Sequence, residues 1–61
     1  MARFLPAEIE RLIVWERLYL YNRGLPCGAP AIRQRLDRQG VWELPSVSSI
    51  HRILSRQGLT H

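Results

Sequence analysis

Apolar residues fall in three blocks along the chain, each at helical rather than alternating spacing. The sharpest block is the last. Val47, Ile50, Ile53 and Leu54 form one stripe, with Ser48, Arg52 and Ser55 at the centre of the opposite face and Ser49, His51 and Arg56 at its margins. Ser46 suits the N-cap, because its hydroxyl can accept a first-turn N–H. Pro45 and Ile50 have the spacing of a hydrophobic staple, and Gly58 suits the left-handed position after the last turn. The pattern predicts a helix over 46–57.

The first block predicts a helix over 6–23. Pro6 fits a first turn, Glu8 and Glu10 favour the positive helix start, and Gly24 stops it. Ile9, Leu12, Ile13, Trp15, Tyr19 and Leu20 make a wide apolar face. Glu16 falls inside it and needs an arginine partner. Val14, Leu18 and Tyr21 are left on the other side. A helix apolar nearly all round is covered on more than one side. Either two copies pair through Val14, Leu18 and Tyr21, or a further part of a longer protein covers them. The middle block predicts a helix over 30–39, with Ala29 as N-cap before Pro30 and Gly40 as its stop. There Ile32 and Leu36 point inward, Arg33, Gln34, Asp37 and Arg38 point outward, and Arg33 and Asp37 are placed to pair. Between the last two helices, Val41, Trp42 and Leu44 read as a lid on the core, with Trp42 structural. Leu59–His61 reads as a short tail, frayed at His61. The expected architecture is all-α: one small three-helix domain spanning 1–61, of the helix-turn-helix, homeodomain-like order.

Composition narrows the partners. The chain has 61 residues, 46% of them hydrophobic, a net charge of +4 and a pI near 10.7. That suffices for one small core. The basic balance favours an anionic partner. All nine basic residues are arginine. Arginine suits bidentate contacts to phosphate and guanine, although an arginine-only set also fits GC-rich coding. The single cysteine, Cys27, permits no internal disulfide, and Cys27, His51 and His61 match no zinc spacing. No metal or cofactor is expected. Neither a signal peptide nor a membrane-length apolar run is evident, so the expected location is a reducing cytoplasm. No nucleophile–base spacing or glycine-rich phosphate loop points to an enzyme.

Two stretches resemble a known family. Gly28-Ala29-Pro30-Ala31-Ile32-Arg33-Gln34-Arg35-Leu36 with Gly40, and then Pro45-Ser46-Val47-Ser48-Ser49-Ile50-His51-Arg52-Ile53-Leu54-Ser55-Arg56-Gln57-Gly58-Leu59, look like a helix-turn-helix segment of bacterial insertion-sequence transposases with an integrase-type core. The family pattern is W-G-x-x-x-I-x-x-x-L followed by S-x-x-T-I-x-R-I-L-x-x-x-G-L. Cys27 stands where the family often has tryptophan, and Ser49 where it often has threonine. The resemblance covers about residues 6–59, and its specific part is the third helix. It implies sequence-specific binding to double-stranded DNA, with the third helix as recognition helix, in a bacterial, nucleoid-associated protein.

The reading of the face gives each residue a role. Ser48 and Arg52 are set for base edges, Ser49 and Arg56 for phosphates, and His51 for either, with Ser55 on the same outward face. The carboxylate-bearing catalytic core of the family is missing. Glu8, Glu10, Glu16, Asp37 and Glu43 are too scattered to rebuild it, so the chain is not expected to cut or join DNA. It is expected to be an excised DNA-recognition domain or a shortened reading frame. The competing expectation is a protein-interaction or dimerisation module that uses the apolar first helix.

Overall fold

The computed structural model describes residues 4–59, which form three helices: α1 (Pro6–Asn22), α2 (Ala29–Arg38) and α3 (Val47–Arg56). There is no β-strand among the described residues. Met1–Arg3, Thr60 and His61, where part of the lead-in and the frayed tail were expected, lie outside the described residues.

Each helix start follows from local chemistry. At α1 the Glu8 carboxylate accepts the Leu5 N–H at 2.8 Å, and Pro6 occupies the first turn. At α3 the Ser46 hydroxyl accepts the Ser49 N–H at 3.2 Å, which makes Ser46 the cap expected for it. At α2 the cap is Gly28 rather than Ala29. The Gly28 carbonyl accepts the Ile32 N–H at 3.0 Å, so Ala29 is already inside the first turn. Its methyl group is buried in the core, which outweighs the local bias of a residue before proline.

All three helices end in one device. Gly24, Gly40 and Gly58 take positive φ, of 69°, 80° and 72°. Each glycine N–H bonds back to the carbonyl of Tyr21, Asp37 or Ser55, at 3.1, 3.0 and 3.0 Å. The apolar residue after it reaches one step further back: Leu25 to Leu20, Val41 to Leu36 and Leu59 to Leu54, at 3.0, 3.1 and 2.8 Å. These are Schellman closures. Leu59 is thereby half-buried against the core and is part of the fold, not of a tail.

The core is Ile9, Ile13 and Leu20 of α1, Ala29, Ile32 and Leu36 of α2, Val41, and Ile50 and Leu54 of α3. Two charged residues sit among them. Glu16 is 2% exposed and accepts from Arg35 Nε at 2.5 Å and Gln39 Nε2 at 3.0 Å. The hydrogen bond to Glu16 holds the Arg35 guanidinium above its ordinary pKa; burial pulls the other way, and the Glu16 charge and Tyr19 add to the rise. Arg17, 7% exposed, donates from Nε to the Leu59 carbonyl at 3.0 Å, a burial that its sequence position did not announce.

Several expected positions shift. Trp15 is 57% exposed and stacks on Tyr19 with ring centres 5.2 Å apart. It lies about 100° round the helix from Glu16, past the edge of the buried face. Val47 is exposed in the first turn of α3, while Ile50 and Leu54 carry the burial and Ile53 is half-buried. Val41 closes over the core as expected, but Trp42 is 49% exposed and is no core residue. The connector turns at Glu43, whose φ is +57°. Arg33 does not pair with Asp37. Its Nε donates to the Pro45 carbonyl at 3.0 Å, which ties α2 to the connector just before α3.

Candidate nucleic-acid interface

Burying Ile50 and Leu54 against α1 and α2 turns the other side of α3 outward. Ser48, His51, Arg52, Ser55 and Arg56 are all exposed, as the spacing predicted. Ser49 is half-buried. Its N–H and its hydroxyl both meet the Ser46 hydroxyl, the latter at 3.1 Å, so Ser49 belongs first to the cap.

The two arginines of this face differ in what holds them. Arg56 forms an ion pair with Glu10 of α1. Arg52 has no acid partner among the described residues. Arg52 lines two grooves, one on either side of α3. On the α2 side, Val47, Ser48, His51, Arg52 and Ser55 face Gly28, Ala29 and Pro30, and no acid lines the wall. On the α1 side, Ser49, Arg52 and Arg56 face Glu10 and Glu43. A polyanion therefore meets unopposed positive charge from the α2 side and carboxylates from the α1 side. The first turn of α2 and Val47 enlarge the candidate face beyond the residues chosen from sequence. Val47 had been counted with the stripe, and Gly28–Pro30 had no polar side chain to mark them.

Other chemistry is sparse. The described residues contain no group of three His, Cys, Asp or Glu side chains that could hold a metal ion. Cys27 is a half-buried free thiol packed against the core. No helix among the described residues is long and apolar enough to cross a membrane. Comparison of the chain with protein-family models, with curated proteins and with solved structures finds no match.

Proposed function

We propose that this three-helix domain binds double-stranded DNA, with α3 in the major groove. The observation that carries the reading is the acid-free groove on the α2 side, with Arg52 unpaired along its edge. Ser48, in the first turn of α3, and Arg52, one turn on, face base edges. Arginine has the fork to meet guanine O6 and N7 together. Arg56 and Ser49 meet phosphates, His51 reaches either, and Ser55 stays on the same face. By the resemblance of its second and third helices, the domain is the DNA-recognition part of a transposase- or integrase-like protein, acting on bacterial DNA in the cytoplasm. No catalysis is assigned to this chain.

The test is a titration against random and selected duplexes over a salt series. A DNA binder shows log affinity falling linearly with log salt, by about 0.9 per phosphate contacted. Absence of binding at low salt overturns the reading. A second reading, a protein-interaction module, is favoured by a separate observation: Leu18 and Tyr21 of α1 remain exposed after the core is closed.

A further inference from the structure

The first residue of α3 is an apolar one that the core does not use. Val47 is 41% exposed, because Ile50 and Leu54 carry the burial of this helix. Two local preferences of a helix start are also unmet there. A β-branched residue is a weaker helix former than most, and the first turn holds no acid to meet the positive helix end. What Val47 does meet is the acid-free groove on the α2 side. Val47 and the exposed Pro30 give that groove an apolar part, while Ser48, His51, Arg52 and Ser55 give it a polar, cationic one.

A groove of that composition matches one feature of a base edge. The major groove of DNA presents a single apolar group, the C5-methyl of thymine, set among hydrogen-bonding atoms. Valine offers a compact branched surface to such a methyl and has no polar atom to lose from water. We infer that Val47 reads the C5-methyl of a thymine lying within about two base pairs of the guanine met by Arg52. The spacing follows from the helix: five residues advance it by about 7.5 Å, against a rise of about 3.4 Å per base pair. The inference rests on the DNA reading and adds a second base to it. Arg52 selects by hydrogen bonds and Val47 by apolar contact, so the preferred duplex holds a thymine close to a guanine. Cytosine methylated at C5 presents the same methyl from a different base pair, and the experiment separates the two sources.

The experiment is a uracil scan. A duplex that the full chain selects from a randomised pool is remade with each thymine replaced in turn by deoxyuridine. That change removes the C5-methyl and keeps every hydrogen-bonding atom of the base. At one position affinity falls about fourfold, the value of one methyl group taken from water. Val47→Ser binds the thymine and uracil duplexes alike at that position, with its helical spectrum and salt slope unchanged. Val47→Ala, which favours the helix, shrinks the uracil effect without threatening the fold. A selected site without thymine near the guanine, or a scan flat at every thymine, overturns the inference. So does a uracil loss that Val47→Ser retains in full, because another residue then holds the methyl. Tighter binding of 5-methylcytosine than of thymine at that position overturns the thymine assignment in favour of methylated cytosine. Absence of binding to any duplex at low salt is a different result, which removes the DNA reading and this inference with it.

Discussion

Two ion pairs leave α1 in different directions, and they do different work. Glu16, its side chain 2% exposed, reaches α2, where Arg35, 36% exposed, and Gln39 both donate to it from the rim of the core. Glu10 reaches α3, where Arg56 meets it at the surface, with Glu10 34% and Arg56 61% exposed. The chemistry of the two pairs is the same, so burial separates their roles. A carboxylate taken out of water must keep its donors, and those donors then specify how α1 lies on α2. A solvated pair is worth little and is readily exchanged for another anion. The inner pair therefore belongs to the fold, while the outer one stands at the edge of the proposed DNA interface.

Breaking the inner pair is the strongest test of this contrast. Arg35→Met leaves the Glu16 carboxylate buried with Gln39 as its only donor. Because the Arg35 end of the pair is partly solvated and Gln39 still donates, the cost lies below the about 3–5 kcal/mol of a fully buried pair, yet it is a large share of the stability of a chain this small. Arg35→Met combined with Glu16→Leu removes the charge as well as its partner and recovers most of the loss. Thermal and urea melts of both variants measure it. An unchanged melt for Arg35→Met would mean that Glu16 is solvated and sets nothing.

The next effect lies on the outward face of α3. Arg52→Ala is expected to lose about 1–3 kcal/mol of discrimination at one base pair, since a bidentate guanine contact is worth that much. Arg56→Ala is expected to weaken all duplexes alike and to lower the salt slope by about one contact. Selection from a randomised duplex pool, followed by titration, reads both. If the Arg52 variant keeps the parent's preference at every position, α3 does not read the sequence through this residue.

The C-terminal ends of the helices were legible along the chain because each is set locally, whereas the start of α2 was not, since burial of Ala29 in the core decided it. Gly24, Gly40 and Gly58 each follow a helical stretch and precede an apolar residue, the arrangement of the closure observed. The cap at Ser46 was legible for the same reason. Ser46→Ala is expected to cost about 1 kcal/mol and to lower the melting temperature by about 4–8 °C. An unchanged melt would mean that the bond to Ser49 contributes nothing. The faces of α1 were harder to read. Its apolar residues nearly encircle the helix, so the pattern could not say that Trp15 falls outside the core or that Arg17 falls inside it. The outward residues of α3 followed from periodicity. The Glu10–Arg56 pair did not, since its members are 46 residues apart and meet only through the packing of α1 on α3. The wall of Gly28–Pro30 carries no polar side chain and left no trace in the sequence pattern.

The outer pair provides the smallest effect and the sharpest link between structure and function. In the free domain Glu10 occupies the Arg56 guanidinium, so a phosphate must displace a carboxylate before it gains that contact. Glu10→Gln removes the competitor's charge and leaves the side chain nearly the same size. Stability should change by less than about 1 kcal/mol, as for other exposed pairs. Affinity for random duplex should rise modestly, and the rise should fade as salt screens both interactions. Adding Arg56→Ala to Glu10→Gln isolates the coupling, because the two changes are additive only if the residues act independently. If Arg56 meets phosphate, Glu10→Gln strengthens binding more when Arg56 is present than when it is alanine. Equal gains in both backgrounds would mean that Glu10 repels DNA on its own, and that Arg56 serves α1 rather than the duplex.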